Sequence, residues 1–433
     1  MKSLIKKLIP KSLLVTYHKA LAVIAKVVYG NPSEKMIVIG VTGTNGKSSS
    51  VKLIAKALES EGAKVGATST VEFKVADKEW LNKTKMTMLG RFALQRVLKQ
   101  MVDAGCKYAV VEVSSEGIIQ YRHTGINFDY VVFTNLTPEH IESHGGFENY
   151  KKAKGKLFEF LTQRPRKKFG DRKVEKIIVA NRDDEHASYF LSFKSDKKLT
   201  FSTKDQISDV YATSILVSPK GTSFKIKDEK VNLKLIGAFN VYNCLPAIAI
   251  GLTEGIDFEN IKQALQKVKV IPGRMESIDE GQNFNVIIDY APEPYSMEKL
   301  YETVDLMDVN KIIHVLGSCG GGRDVARRPV LGKMAGEKAD YVIITNEDPY
   351  DDDPMEIIND VAQGALDAGK VLDENLFKIL DRKKAIEKAI GLAKENDLVL
   401  ITGKGAEQAM VVKNMKKIPW DDRDVAREIL SQQ

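Results

Sequence analysis

The stretch GVTGTNGKSSS, residues 40–50, decides the fold of this chain. It follows the apolar run Met36–Ile39 and leads into Val51–Ala55, so a glycine-rich turn joins a β-branched segment to a helical one. Such a turn places backbone N–H groups at the positive end of a helix, where a phosphate binds. Lys47 would reach the outer phosphates, and the Ser48 hydroxyl would ligate magnesium. The predicted phosphate loop has at its centre Gly43, Thr44, Asn45 and Gly46.

The spacing of this loop departs from the general phosphate-loop signature. Five residues rather than four separate Gly40 from Gly46, and one of them is Gly43. A chance join of strand, glycine-rich turn and helix is the alternative. Because Gly-Lys-Ser lies between a buried strand and a helix, the sequence favours phosphate binding.

Short apolar runs alternate with helical segments on both sides of the loop. The first group of predicted strands comprises Met36–Ile39, Tyr108–Val113, Tyr130–Thr134 and Ile177–Ala180, with a helix at Ser48–Glu61. The second group comprises Val286–Asp289, Ile312–Leu316, Tyr341–Thr345, Phe377–Leu380 and Leu398–Thr402, with helices at Met355–Leu366 and Lys383–Ala393. The pattern predicts an α/β protein: a central P-loop ATPase domain with a parallel sheet, then a smaller doubly wound, Rossmann-like domain. We place the domain boundaries at 1–34, 35–271 and 272–433.

Composition is typical of a soluble multi-domain protein. The chain has 433 residues, of which 43% are apolar and 28% charged, and the net charge of +7 is small beside the total. The basic patch Arg164–Lys168 is interpreted as a solvated loop rather than a nucleic-acid contact. Three cysteines without a C-x-x-C pair argue against a disulfide framework and fit a reducing cytoplasm.

The segment before residue 35 is basic and amphipathic. Lys2–Lys11 is rich in lysine, and Leu13–Tyr29 is mostly apolar but interrupted by His18, Lys19 and Lys26. This pattern suits neither a signal peptide nor a spanning helix. It predicts a helix packed on the body of the protein, with peripheral contact of residues 2–29 with an anionic membrane as the alternative.

Nine motifs in a fixed order resemble the Mur ligase family, the ATP-dependent enzymes that add amino acids to the muramyl peptide of the bacterial wall. Besides TGTNGKS, they are EVSSEG (112–117), FTNLTPEHIESHGGFENYKKAKGKLF (133–158), NRDDEH (181–186), GAFNVYN (237–243), PGRME (272–276), DYAPEP (289–294), GGGRDVARRP (320–329) and GKGAEQ (403–408). The resemblance covers roughly residues 36–433 and is closest to the tripeptide synthetases.

The resemblance implies an ATP-dependent, ADP-forming amide ligase of peptidoglycan synthesis. The family phosphorylates the acceptor carboxylate and lets an amine attack the acyl phosphate, with metal ions and a fixed lysine managing the charge. It implies catalytic roles for Lys47, Glu112, His140 and Lys154, one Mg²⁺ on Ser48 and Glu112, and a second on His140 and a carbamylated Lys154. Read singly, Glu112 suits a surface ion pair, His140 a helix cap and Lys154 a solvated helix face.

Further site residues follow from the same resemblance. ATP would lie between the domains, with adenine and ribose at Asn243, Arg274 and Asp289. The acceptor peptide would contact Thr87, Ser114, Ser115 and Arg122. The incoming amino acid would contact Arg323, Glu347, Asp348, Gly403 and Glu407. Arg323 and Arg328 suit phosphate or carboxylate pairing, and loop-stabilising ion pairs are the alternative.

Several motif positions differ from the family pattern. Methionines flank Thr87, and Glu116, Pro292 and Ala406 stand where the family has histidine. The loop that chooses the amino acid carries D-N-P-R in diaminopimelate enzymes but Glu-Asp-Pro-Tyr-Asp-Asp-Asp at 347–353 here. An acidic loop without the arginine favours L-lysine or another diamine, and a solvated acidic loop is the alternative.

Only about thirty-five residues precede the phosphate loop, where the tripeptide synthetases carry a uridine-nucleotide-binding domain. The acceptor would then be held differently, for example as a lipid-linked peptide, or a partner would supply the missing surface. Two other functions remain: a folylpolyglutamate-synthetase-like ligase, and a non-catalytic nucleotide-binding subunit. We expect a cytoplasmic monomer.

Overall fold

The computed structural model describes residues 11–139, 144–323 and 325–432. The described residues before 272 form thirteen strands: β1 (Ile37–Thr42), β2 (Val65–Thr68), β3 (Glu72–Val75), β4 (Lys78–Leu81), β5 (Tyr108–Glu112), β6 (Tyr130–Phe133), β7 (Lys168–Phe169), β8 (Arg172–Lys173), β9 (Ile177–Asn181), β10 (Lys197–Ser202), β11 (Val210–Ser218), β12 (Gly221–Ile226) and β13 (Glu229–Leu233). All but the β7–β8 hairpin join one sheet in the order β13-β12-β11-β10-β9-β6-β1-β5-β2-β3-β4.

The middle of this sheet is parallel, and its edges are antiparallel. Strands β11 to β2 in spatial order run parallel, with β1 between β5 and β6. Hairpins β2–β3–β4 and β11–β12–β13 add antiparallel edges. The predicted parallel sheet is confirmed, and the edge hairpins are additions that the sequence analysis did not anticipate.

Helices cover both faces of the first sheet. They are α1 (Lys11–Val28), α2 (Lys47–Glu59), α3 (Arg91–Asp103), α4 (Ser115–Ile119), α5 (Phe147–Leu161), α6 (Ala187–Leu191), α7 (Phe239–Thr253) and α8 (Phe258–Gln266). Successive residues of β1 point to opposite faces, so Ile37 and Ile39 pack with α2 and α7, whereas Val38 packs with α3 and α5. Burial on both faces explains why β1 reads as a continuous apolar run.

The second sheet is smaller and doubly wound, as predicted. Its strands are β14 (Glu276–Ile278), β15 (Asn285–Ile288), β16 (Ile312–Leu316), β17 (Tyr341–Thr345), β18 (Leu376–Ile379) and β19 (Leu398–Ile401), in the order β14-β15-β19-β16-β17-β18. Only β14 among these six is antiparallel to its neighbour. The helices are α9 (Pro294–Val304), α10 (Arg327–Lys338), α11 (Pro354–Asp367), α12 (Arg382–Leu392) and α13 (Asp422–Leu430), and β20 (Ala409–Val412) pairs with β21 (Lys416–Pro419).

A buried polar cluster lies within this second domain. The His314 Nδ1 is 2.6 Å from the Tyr301 hydroxyl, and its Nε2 is 2.9 Å from the Thr402 hydroxyl. Burial, with a smaller effect of Arg382, lowers the pKa of His314 to about 3, so the folded chain holds a neutral imidazole. The fully buried Arg382 forms an ion pair with Asp422 at 2.7 Å.

Helix α1 packs on the body of the protein. Ala22 and Ala25 are buried against α3 and the 3-10 turn Arg122–Gly125, and the Arg91 Nε donates to the His18 carbonyl at 3.1 Å. The opposite face carries apolar side chains that are half exposed or more: Leu13, Tyr17, Ile24, Val27 and Val28. Within the ranges given above, the helices include none that is long and apolar enough to cross a membrane.

Candidate active site

The phosphate loop brings backbone atoms close to their neighbours. Gly43 and Gly46 have φ values of 154° and 79°, in the region that favours glycine. A Cβ at Gly43 would lie 1.9 Å from the Thr134 Oγ1, and one at Gly46 would lie 2.1 Å from the Asn243 Oδ1. Gly46 is the N-cap of α2 and has no side chain to occupy the first N–H groups. This cradle fits the phosphate chain of a nucleotide.

The loop is bound to the end of β6. The Thr44 N–H donates to the Asn135 carbonyl at 2.8 Å, and the Asn45 N–H donates to the Asn135 Oδ1 at 2.8 Å. The Thr134 hydroxyl donates to the Asn45 carbonyl at 2.7 Å. These bonds fix the loop independently of any ligand. Thr134 and Asn135 belong to the quoted FTNLT motif, but the sequence analysis did not single them out.

Ser48 and Glu112 form a pair suited to magnesium. The Ser48 hydroxyl donates to the Glu112 Oε2 at 2.7 Å, and Glu112 is 1% exposed. Thr70 donates to the same carboxylate through its N–H at 2.7 Å and its hydroxyl at 3.0 Å. A hydroxyl and a carboxylate beside a phosphate cradle are hard oxygen ligands of the kind Mg²⁺ prefers. The surface ion pair considered for Glu112 does not match its burial.

Two lysines lie against the loop. The Lys47 Nζ donates to the Thr44 carbonyl at 2.6 Å, and the Lys154 Nζ donates to the Gly43 carbonyl at 2.7 Å. Lys154 is 1% exposed, so it lies on the buried face of α5 rather than on a solvated one. Burial and then Lys47 lower the pKa of Lys154 well below its ordinary value, although Glu139 and Glu112 act in the opposite direction.

A chain of polar side chains leads from the loop to Ser115, one of the candidate acceptor residues. The Thr44 Oγ1 and Tyr150 hydroxyl are 3.2 Å apart, the His144 and Tyr150 ring centroids are 5.0 Å apart, and the His144 Nε2 is 3.2 Å from the Ser115 Oγ. Sequence reasoning missed His144 and Tyr150. The predicted second-metal ligand His140 lies outside the described residues.

The candidate acceptor residues surround the start of α4. Ser114 caps α4 by accepting from the Gly117 N–H at 3.1 Å. Arg122 donates to the Met88 carbonyl, and the Thr87 hydroxyl is 3.0 Å from the Thr70 hydroxyl that holds Glu112. The structure therefore links Thr87 to the candidate metal pair through one intervening hydroxyl.

The three candidate nucleotide contacts have different surroundings. Asn243 lies against Gly46, with its Oδ1 2.1 Å from where a Cβ on that glycine would be. The Arg274 guanidinium lies 4.6 Å from the Tyr290 ring centroid. Both carboxylate oxygens of Asp289 accept backbone N–H bonds, from Met275 at 2.7 Å and from Ala291 at 2.9 Å. Asp289 thus shapes the chain between the two domains.

The phosphate loop also contacts the second domain. The Asn45 Nδ2 donates to the Glu293 Oε1 at 2.9 Å, and Glu293 caps α9 through the N–H groups of Tyr295 and Ser296. Burial, followed by the charge of Glu139, raises the pKa of Glu293. The loop therefore lies at the domain interface, where the family resemblance predicts that ATP binds.

Glu347 and Asp348, the first two acidic residues of the loop at 347–353, already have partners within the chain. The Cys319 thiol donates to the Glu347 Oε1 at 2.9 Å. Asp348 and Glu407 both accept from the Lys404 Nζ, at 3.0 Å and 2.7 Å. Lys85, from the first domain, contacts Asp348 and lies 3.0 Å from the Glu407 Oε2. Sequence reasoning missed both lysines.

The remaining candidates of the second domain border this loop. A Cβ at Gly403 would lie 2.4 Å from the Glu347 Oε2, so the backbone approaches that carboxylate closely. The Arg323 Nη2 donates to the Tyr350 hydroxyl at 3.2 Å. Arg328 instead pairs with Asp360 at 2.8 Å and Asp352 at 3.5 Å, which matches the loop-stabilising alternative.

Comparisons with known proteins identify the family of this chain. The model of the Mur ligase middle domain matches residues 41–251, and that of the Mur ligase glutamate ligase domain matches residues 273–405. The UDP-N-acetylmuramoyl-L-alanyl-D-glutamate–2,6-diaminopimelate ligase of Geobacillus kaustophilus is 38% identical over 426 residues, which are 97% of this chain and 84% of that enzyme. The UDP-N-acetylmuramyl-tripeptide synthetase of a Roseiflexus species is 38% identical over 425 residues, 95% of this chain and 82% of that enzyme.

A solved structure of Mycobacterium tuberculosis folylpolyglutamate synthase shares the fold. Its TM-score is 0.69 at 17% identity, and the alignment covers 89% of this chain and 92% of that one. The resemblance to the tripeptide synthetases is confirmed by the identities given above. The chain belongs to the Mur ligase family, whose members are ATP-dependent ligases of peptidoglycan synthesis.

Proposed function

We propose that this chain joins an amino acid to the carboxylate of a muramyl peptide at the expense of ATP. The observation that carries the proposal is the convergence of the Gly43–Ser48 cradle, the Ser48–Glu112 pair and Lys154 at the domain interface. When bound, ATP and Mg²⁺ supply phosphoryl transfer to the acceptor carboxylate, which makes that carbon reactive toward an amine. The product would be an amide, with ADP and phosphate.

The chain's own residues divide this work. The loop N–H groups and Lys47 hold the phosphates, Ser48 and Glu112 hold the metal, and Asn243 packs beside the loop. Ser115 and Arg122 face the acceptor side, where Ser115 is linked to the loop through His144 and Tyr150. Because phosphoryl transfer is governed by positioning and charge, a rigid loop with fixed cations suits this reaction.

Lys154 is proposed to bind a second metal as a carbamate, together with His140. A lowered pKa increases the fraction of neutral amine at neutral pH, and the neutral amine is the form that adds to CO₂. That addition forms one N–C bond and releases one proton, converting a cationic side chain into an anionic ligand. An unmodified ammonium beside Lys47 could not bind a cation.

The added amino acid is proposed to be a diamino acid. The relatives described above are named for diaminopimelate or for the tripeptide product, and the acidic loop first suggested L-lysine. Since Asp348 and Glu407 are already paired with Lys85 and Lys404, the acidity of the loop alone is weak support for L-lysine. A direct comparison of L-lysine with diaminopimelate decides the preference.

The proposal is tested by ADP release from the purified chain. Muramyl dipeptide acceptors, soluble as the uridine nucleotide and lipid-linked, are each combined with ATP, Mg²⁺ and single amino acids. We expect ADP only when acceptor and amino acid are both present, with an amide product found by mass spectrometry. ADP release that ignores the acceptor, or none with any acceptor, would contradict the proposal.

A second candidate is folate polyglutamylation, favoured by the fold similarity to folylpolyglutamate synthase over 92% of that chain. The same assay, with a reduced folate and glutamate in place of the muramyl peptide and diamino acid, separates the two. The sequence identities to the muramyl enzymes favour the first.

We further propose that the monomer works in the cytoplasm, where ATP is available, with α1 in contact with anionic phospholipid. The exposed apolar stripe of α1, its first residue Lys11 and the preceding lysines of the sequence, Lys2, Lys6 and Lys7, suit the surface of such a membrane. Co-sedimentation with phosphatidylglycerol vesicles should exceed that with phosphatidylcholine vesicles and fall in the Ile24→Glu/Val28→Glu variant. Ile207→Glu, at another exposed apolar site, is the matched control; equal sedimentation of all forms would refute the contact.

A further inference from the structure

Lys85 places a positive charge from the first domain into the amino-acid loop of the second. Its side chain is 6% exposed, contacts Asp348 and lies 3.0 Å from the Glu407 Oε2. Lys85 and Asp348 are separated by 263 residues in the chain. The contact therefore depends entirely on how the two domains meet.

The backbone around Lys85 is built to hold this position. Lys85 has a φ of 54°, a left-handed conformation that is uncommon for a residue with a side chain. Asn82 stabilises the turn: its Oδ1 accepts from the Thr84 N–H at 2.9 Å, and its Nδ2 donates to the Met86 carbonyl at 3.0 Å. Lys417 of the second domain donates to the Thr84 carbonyl at 2.7 Å.

The charges in this cluster balance. Two carboxylates, Asp348 and Glu407, face two ammonium groups, Lys85 and Lys404. Lys404 is fully buried and also donates to the Ala409 carbonyl at 2.8 Å, so it is part of the second domain's own framework. Burial alone would raise the pKa of Asp348, but Lys404 and Lys85 lower it, so its carboxylate stays ionised. Of these two lysines, Lys404 belongs to the second domain and Lys85 belongs to the first.

We propose that Lys85 is a specificity-determining residue. As an internal counter-ion it neutralises part of the charge of Asp348 and Glu407, so these two carboxylates attract the distal ammonium of the added amino acid less strongly. This inference rests on the proposed function, because it assumes that the amino acid binds beside these carboxylates. An amino acid with a distal ammonium must displace Lys85 to reach the pair, whereas an uncharged side chain of the same length does not. The wild-type site therefore gains less from the distal ammonium of a diamino acid than the same two carboxylates would supply without Lys85.

The test compares L-lysine with L-norleucine, which has the same chain length without the ammonium. Dissociation constants for both are measured by calorimetry with ADP, Mg²⁺ and full-length protein. In Lys85→Met, we expect the ratio of norleucine to lysine dissociation constants to rise about tenfold, a difference of about 1.4 kcal/mol. Lys85→Arg keeps the charge and should keep the wild-type ratio, and Lys83→Met changes an exposed lysine two residues away as control.

The outcomes separate this inference from the proposed function. A ratio that is unchanged in Lys85→Met, or equally raised in Lys83→Met, overturns the role of Lys85. A uniform loss of affinity for both amino acids would show only a structural tie between the domains and would likewise overturn it. Absence of ADP release with every acceptor contradicts the proposed function. The ratio of the norleucine and lysine dissociation constants does not depend on ADP release, so it still tests the effect of Lys85 separately.

Discussion

The Asn45 Nδ2 donates a hydrogen bond to the Glu293 Oε1 at 2.9 Å, which joins the phosphate loop of one domain to the helix cap of the other. The same carboxylate accepts from two N–H groups of α9, so the loop is tied to a rigid element rather than to a surface side chain. Closure of the second domain and the shape of the nucleotide cradle are therefore linked through one side-chain contact.

Asn45→Ala should weaken use of ATP without unfolding either domain. The change removes the cross-domain bond but leaves the α9 cap intact, and one hydrogen bond contributes about 1 kcal/mol net. We expect the KM for ATP to rise about fivefold, with a nearly unchanged melting temperature. Glu293→Gln retains an acceptor oxygen and should have a smaller effect; a larger effect of Glu293→Gln would contradict this role.

Glu112→Gln should abolish most activity by removing the charge of a proposed metal ligand. The amide oxygen can still accept from Thr70, so we expect the fold to persist while kcat falls by about 100-fold or more, in line with losses of key electrostatic groups. The Glu112→Gln variant should also require a higher Mg²⁺ concentration than the wild type to reach half of its maximal activity. The control is Glu175→Gln, an exposed acid outside the quoted motifs, for which a similar loss would argue against the metal role.

Gly46→Ala and Gly62→Ala should differ in their effect on ATP binding, although both glycines have a positive φ, 79° and 83°. Left-handed backbone costs an alanine about 1–2 kcal/mol at either position. A Cβ at Gly62 meets nothing within 4 Å, whereas one at Gly46 lies 2.1 Å from the Asn243 Oδ1. We expect Gly62→Ala to lose stability but bind ATP normally, and Gly46→Ala to lose ATP binding, as measured by fluorescence of a labelled nucleotide. Equal nucleotide affinity in both variants would count against the cradle.

Activity should depend on CO₂ through Lys154. The lowered pKa of this lysine favours the neutral amine, and protonation at lower pH opposes carbamate formation. Assays in bicarbonate-depleted buffer should therefore lose activity, most strongly on the acidic side of neutrality, and added bicarbonate should restore it. A ¹³C signal of a carbamate from labelled bicarbonate should disappear in Lys154→Ala and remain in Lys156→Ala, a change at an exposed position on the same helix. Indifference to bicarbonate would refute the modification.

His314 should make the second domain sensitive to acid. Its folded pKa of about 3 lies below the unfolded value of about 6.5, so below pH 6.5 the unfolded chain binds the additional proton. The stability contribution is complete above pH 6.5 and is lost as the pH falls toward 3, at up to about 1.4 kcal/mol per pH unit. Urea unfolding at several pH values should show a flatter profile for His314→Gln. Tyr301→Phe removes the hydrogen bond alone, so it should keep the slope, and a parallel loss of slope there would contradict the assignment.

Local pattern was sufficient to predict the centre of the fold. Met36–Ile39 is apolar because β1 is buried on both faces, and the glycines that follow are required by the turn. The edge strands were not predicted. Strand β4 is largely exposed and reads Lys-Glu-Trp-Leu. The β12–β13 hairpin is defined by the pairing of its two strands rather than by a continuous run of buried apolar residues. Solvated edges do not impose the hydrophobic signal that buried strands do.

The candidate site was predictable where its residues lie within motifs. Tyr150 lies four residues before Lys154, on the same face of α5, and His144 lies within the quoted motif, so helical spacing and motif position were available signals. Lys85 gave no such signal because its partners lie in another domain. The sequence suggested that Asp348 could bind a substrate ammonium for the same reason. The sequence shows that a residue is acidic but does not show which lysines the fold places beside it.

Helix α1 covers the turn that begins with Arg122, and a Cβ on Gly125 of that turn would lie 3.0 Å from the Ala22 carbonyl. Removing this helix to obtain a shorter protein would therefore release the segment that orients the Arg122 guanidinium, a proposed contact of the acceptor peptide. Loss of acceptor affinity in such a trimmed protein would report damage to this turn, so it could not be taken as evidence that the helix itself grips the peptide.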